Sequence, residues 1–149
     1  MLFRSNNSHN LIEDGIESID INIQGTLNLL EYLPNIQHVC FASSYIVYDK
    51  PRVNLVNETY PTEPTNIYGI SKLVTEKFLQ VYAQQQNILL NILRFMGIYG
   101  PSTPDNGRAI PTFIKMIASD KRPILYGTGK ARRNHVYIDD AIEAFLITP

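Results

Sequence analysis

Ile88 to Phe95, reading ILLNILRF, is apolar at six of its eight positions. It is too short for an ordinary helix and too continuous for a half-wet strand, which is the signature of a strand buried on both faces in a parallel sheet. A second run, Ile36 to Ala42, is rich in β-branched and aromatic residues and is followed by the turn signal Ser43-Ser44. Between them, after a Pro-rich stretch at 49–66, a helix is predicted from about Asn66 to Gln86, with Leu73, Val74, Phe78, Val81 and Tyr82 on its apolar side. Strand, helix, strand is the unit from which parallel sheets are made. A right-handed crossover places 36–43 and 88–95 in one sheet, with Ser43-Ser44 at the carboxyl end of its strand, where α/β sheets take their ligands.

The remaining segments extend the same α/β texture. Residues 1–10, rich in Ser and Asn, read as a loose entry; Ile16, Ile19, Ile23, Leu27, Leu30 and Leu33 then recur at helical spacing until Pro34 stops them. Beyond Gly97-Ile98-Tyr99-Gly100-Pro101 comes a loop with Pro104 and Gly107, a helix at about 111–119, a short strand at 124–126 and a turn at Gly127-Thr128-Gly129. A last strand at 135–138 leads to a helix capped by Asp139 or Asp140.

With 149 residues, 44% hydrophobic and 18% charged, the chain reads as soluble and globular, and a net charge of −1 lacks the basic excess of a nucleic-acid surface. Its single cysteine, Cys40, sits in an apolar run and reads as a small buried residue in a reducing compartment. His9, His38 and His135 have no partners at metal-ligand spacing, so no metal site is expected. No transmembrane segment or signal-peptide core is visible, which points to the cytoplasm.

Three residue types then offer chemistry to one place. Tyr68 and Lys72 are four apart and share a helix face, so the Lys charge can lie beside the phenol and favour its ionised form. Without such help a phenol titrates near ~10 and is a poor base at neutrality. Ser44, at the end of the first strand, aims a hydroxyl at the same crevice. With nine Tyr in the chain a bare Tyr-x-x-x-Lys is also compatible with coincidence on an amphipathic helix.

The surroundings of the pair resemble the extended short-chain dehydrogenase/reductase family, specifically its NAD-dependent sugar-nucleotide epimerases. The resemblance runs from about Asn22 onward: Asn22-Ile23-Gln24-Gly25-Thr26, Phe41-Ala42-Ser43-Ser44 with Val47-Tyr48, Tyr68 to Lys72, Leu93-Arg94-Phe95, Tyr99-Gly100-Pro101, Ile110-Pro111, Tyr126-Gly127-Thr128-Gly129, and Arg133 before Val136-Tyr137-Ile138-Asp139-Asp140. It implies a partial Rossmann-type, doubly wound parallel sheet over 1–100 and the start of a small substrate-binding part over 101–149. It further implies NAD as cofactor, a nucleotide sugar as substrate, and transient oxidation to a keto sugar. On this resemblance Ser44, Tyr68 and Lys72 are catalytic, Ser43, Tyr68, Lys72 and Met96 meet the cofactor, and Ser44, Tyr68, Gly97 and Arg133 meet the substrate, Arg133 gripping the diphosphate.

Dehydratases and decarboxylases of the family place an acid two after the Ser or Thr, where this chain has Tyr45 and Ile46. Their absence favours simple epimerisation, with a related reductase or dehydratase as the alternative. No Gly-x-x-Gly-x-x-Gly phosphate-binding turn occurs in the 149 residues. A truncated, inactive domain with only an association role therefore stands as a second class of reading. The family resemblance also suggests a homodimer through the helices at 14–33 and 69–86, with neither nucleic acid nor membrane as partner.

Overall fold

A computed structural model describes residues 11–33, 35–49, 51, 53, 55–101, 108–130 and 132–148. The entry at 1–10, the stop at Pro34 and the loop residues Pro104 and Gly107 lie outside them. The chain forms two compact units, Met1–Arg94 and Phe95–Pro149.

In the first unit, β1 (His38–Ser44) and β2 (Leu89–Phe95) are hydrogen-bonded neighbours, joined through the helix α3 (Ile67–Gln86), which packs on β1. The strand-helix-strand unit read from the sequence is thus present, and β1 begins two residues later and runs through Ser43 and Ser44. Asn91 Nδ2 and His38 Nε2, 2.9 Å apart, tie the two strands through side chains. α3 starts where Asn66, in extended backbone, accepts from the Gly69 N–H at 2.8 Å, and stops where Asn87 turns left-handed at φ 53°. Asn serves at both ends because its short amide caps an N-terminus and tolerates positive φ.

The helix expected over 14–33 is divided in three: α1 (Leu11–Ser18), a π turn (Ile19–Gln24) and α2 (Gly25–Tyr32). The π turn rotates the face that follows it; along the divided helix Asn22 is buried while Ile16, Ile19 and Leu33, expected on the apolar face, are exposed.

α3 carries the larger correction. Its buried residues are Gly69, Ser71, Lys72, Thr75, Glu76, Leu79 and Ala83, while Val74, Phe78 and Val81 from the expected core side are exposed. The polar stripe faces inward because it finds partners there: Asn22 Nδ2 donates to Ser71 Oγ at 2.9 Å, and Thr75 Oγ1 donates to the Ser71 and Asn22 carbonyls at 2.9 and 3.2 Å. Buried polar groups are tolerated when paired in this way. β2 is half-buried rather than covered on both faces, with Leu89 exposed, and Cys40 is half-buried.

In the second unit, β3 (Gly97–Tyr99) and β4 (His135–Tyr137) pair in parallel, in the register Gly97↔His135, Ile98↔Val136 and Tyr99↔Tyr137. No strand is expected at 97–99 from the sequence, because three residues are too few to show an alternation. α4 (Ala109–Ala118) and α5 (Ile138–Ile147) complete the unit. The strand expected at 124–126 is absent: Tyr126 is 89% exposed, and no partner strand draws the segment into a ladder. Tyr137, not an Asp, is the residue before α5, and it makes no side-chain cap; Asp139 and Asp140 stand in the first turn, where they complement the helix dipole. The fold is α/β, with one two-stranded sheet in each unit.

Candidate functional site

β1 ends in Ser43 and Ser44, both buried, and a 3-10 turn (Tyr45–Tyr48) follows at once. Ser44 initiates that turn: in extended backbone, its Oγ accepts from the Ile46 N–H at 3.3 Å. α3 begins against the same turn. A Cβ placed on Gly69 would lie 2.8 Å from both Ile46 Cγ2 and Pro64 Cβ, so only glycine lets the helix start this close. Tyr68 immediately precedes Gly69, and Ser44 stands two residues before Ile46. The structure therefore brings the Ser44 and Tyr68 segments into contact.

Lys72 lies one helical turn beyond Tyr68 and is 2% exposed. Its Nζ donates to the Ala42 carbonyl at 2.9 Å, and lies 4.8 Å from the Phe41 ring centroid and 5.9 Å from that of Tyr68. Burial pushes its pKa down from 10.5 to about 8, with the Glu76 carboxylate opposing the shift. Near neutrality it remains mostly ammonium, a cation set beside a phenol ring at the end of a strand.

Ser43 is engaged elsewhere: its hydroxyl donates to Glu76 Oε1 in a short hydrogen bond. Glu76, fully buried, receives Arg94 as well, Nε to Oε1 at 3.0 Å and Nη2 to Oε2 at 2.7 Å, the two-pronged geometry of a strong guanidinium–carboxylate pair. Arg94 Nη1 continues to the Tyr48 hydroxyl at 2.5 Å and the Glu58 carbonyl at 3.2 Å. Hydrogen bonding to Glu76 outweighs burial and raises the Arg94 pKa further.

Sequence reasoning gave Glu76 no role and left Arg94 as part of a motif. The signal was available in the spacing, because Tyr68, Lys72 and Glu76 recur every four residues and so share one helix face. Asn22 also gains a structural part: besides its bond to Ser71, its carbonyl accepts from Thr26 Oγ1 at 2.7 Å, and its buried Oδ1 has no partner among the described residues.

The other expected site residues belong to the second unit. Met96 lies between β2 and β3, half-buried. Gly97 opens β3, where a Cβ would come within 2.8 Å of His135 Nδ1. Arg133 is exposed, with Nη1 donating to the Arg132 carbonyl at 3.1 Å.

A buried ammonium, a phenol and a strand-end hydroxyl form a donor set suited to sugar hydroxyls, whether on a nucleotide ribose or on a substrate. The chain is 35% identical over 146 residues to a putative UDP-glucose 4-epimerase of Methanocaldococcus jannaschii, covering 95% of this chain and 48% of that protein. It is 31% identical over 128 residues to the dTDP-D-glucose 4,6-dehydratase of Mus musculus, covering 85% of this chain and 36% of that one. Among solved structures, UDP-glucuronic acid 4-epimerase from Bacillus cereus in complex with NAD superposes with a TM-score of 0.77 at 30% identity, over 89% of this chain and 44% of that one. The chain thus spans half or less of the length of the relatives it matches. The family model for the NAD dependent epimerase/dehydratase family matches residues 5–148, and to that family the chain belongs.

Proposed function

We propose that this chain carries the catalytic face of an NAD-dependent epimerase acting on a nucleotide sugar. The observation that bears the reading is the Lys72 ammonium, pinned on the Ala42 carbonyl and 5.9 Å from the Tyr68 ring centroid, where β1 delivers Ser44. NAD, when bound, supplies a hydride acceptor and donor for transient oxidation of the sugar to a keto form. Tyr68, as phenolate, takes the proton of the reacting hydroxyl. Ser44 Oγ hydrogen-bonds the same oxygen, and Lys72 lowers the cost of the phenolate by charge.

The donor set fits the ribose end of such a cofactor, with Tyr68 and Lys72 as hydroxyl partners. Met96 is assigned to the cofactor as well, and Gly97 and Arg133 to the substrate, Arg133 by pairing with the diphosphate. Because the Ser43 hydroxyl is committed to Glu76, what Ser43 offers the cofactor is its main chain. Tyr45 and Ile46, which place no acid after Ser44, support epimerisation over elimination. Similarity to a 4,6-dehydratase keeps that chemistry as the second reading. Association of two copies through the exposed residues of α3 and of 14–33 belongs to the same proposal.

Incubation with NAD and a panel of UDP- and dTDP-sugars, read by proton NMR, tests this. The expected product is an epimer at one carbinol carbon, and Tyr68→Phe should slow its formation by about 10²–10⁴-fold, the usual worth of a positioned acid–base group. A 4-keto-6-deoxy product would move the chain to the dehydratase reading. Absence of both NAD binding and turnover would favour an association role alone.

A further inference from the structure

Among the described residues, Glu76 is the one acid with a fully buried side chain, and nothing in the proposed chemistry uses it directly. It stands one turn past Lys72 on the same face of α3. Three elements meet on its carboxylate: α3 itself, β1 through the Ser43 hydroxyl, and β2 through both prongs of Arg94. We propose that Glu76 is a positioning residue for the Ser44–Tyr68–Lys72 site: it fixes the end of β1 through Ser43 and supplies the negative charge that keeps the buried Lys72 in its ammonium form. The catalytic meaning of this rests on the reading above; the electrostatic device does not.

The chemistry runs as follows. A buried ammonium tends to lose its proton, and a neutral amine would no longer favour the Tyr68 phenolate. A carboxylate four residues along on the same buried face opposes that loss. Arg94 holds both carboxylate oxygens in place, with Tyr48 orienting the guanidinium through its hydroxyl and its ring, 4.8 Å away at the centroid. Among the described side chains, the other titratable groups on elements packed against α3 are Glu17 on α1, Asp20 on the π turn, His38 and Cys40 on β1, and Tyr45 and Tyr48 on the 3-10 turn. The charge of Glu76 raises the proton affinity of Lys72. Arg94 and Lys72 are therefore not interchangeable partners: one holds the carboxylate, the other depends on it.

The test is a proton titration of Lys72 in the full chain, labelled with 13Cε-lysine and assigned among its six lysines by loss of one signal in Lys72→Arg. Glu76→Gln should lower the Lys72 midpoint by about 1–2 units, the size expected for loss of a close opposite charge. Glu76→Asp, which keeps the charge, should restore most of it. Arg94→Met breaks the same ion pair but leaves the carboxylate, and should not lower the midpoint. Should Glu76→Gln alone fold poorly with Arg94 left uncompensated, Glu76→Gln/Arg94→Met removes both charges and should lower the midpoint relative to Arg94→Met. An unmoved midpoint in the Glu76→Gln variants overturns the proposal, and so does an equal lowering in Arg94→Met, which would mean general loosening. Turnover is scored separately: an inert chain whose Lys72 midpoint still falls in Glu76→Gln retires the epimerase reading and leaves this one standing.

Discussion

At the scale of single residues, Lys72 is held on several sides at once. Its ammonium is buried, yet it has a carbonyl, two aromatic rings and a carboxylate arranged around it. Because its folded pKa, about 8, lies below the ordinary 10.5, the unfolded chain binds the extra proton between those values and the folded chain does not. Stability must then rise with pH through that window and be flat, for this group, on either side. Chemical denaturation of the wild type and of Lys72→Met, from about pH 7 to about pH 11, reads this directly: the wild type should gain on the variant between pH 8 and 10.5. A constant difference would mean that Lys72 titrates in the fold as it does in water. Glu76 and Arg94 illustrate the same economy, since removing either partner of a buried pair commonly costs about 3–5 kcal/mol by stranding the other.

Among the elements, α3 shows how far the sequence could be read. Its limits were legible almost to the residue, because Asn66 and Asn87 mark them chemically and the apolar strands on either side leave room for little else. Its orientation was not. Hydrophobic periodicity says which residues share a face, whereas which face turns inward depends on partners distant in the chain, here Asn22, Ser43 and Arg94. The same limit explains 97–99 and 124–126: three-residue strands exist only by virtue of a neighbour, and β4 supplies one for the first and none for the second. That Tyr68, Lys72 and Glu76 share a face of α3 was legible from their spacing, while the partners that Ser43 and Arg94 give Glu76 needed the fold. Where α3 begins, Gly69 is fixed by its contact with Ile46 and Pro64. Gly69→Ala should therefore destabilise by about 1–3 kcal/mol, as overpacking does, despite the better helix propensity of Ala. Urea denaturation measures it; a neutral or stabilising result would show that the turn at 45–48 yields easily.

For the molecule as a whole, the balance of surface is unusual. The buried apolar set consists of Val47, Leu79, Ala83 and Ala141 among the described residues, while Ile70, Val74, Phe78 and Val81 form an exposed stripe along α3. With a net charge of only −1, little electrostatic repulsion keeps copies apart. Sedimentation should show concentration-dependent association, and Val74→Asp/Phe78→Asp should shift the chain toward monomer; identical sedimentation of the two would place the contact elsewhere. No helix among the described residues is long and apolar enough to cross a membrane.

The inverted α3 has a practical corollary. Since ions occupy its inner side and hydrocarbon its outer side, the two can be engineered separately. Decorating the outside with glutamates to obtain a well-behaved sample leaves the buried Lys72 and Glu76 contacts untouched, whereas a hydropathy-guided replacement of either by leucine, made to improve the core, would strand their partners Ala42, Ser43 and Arg94.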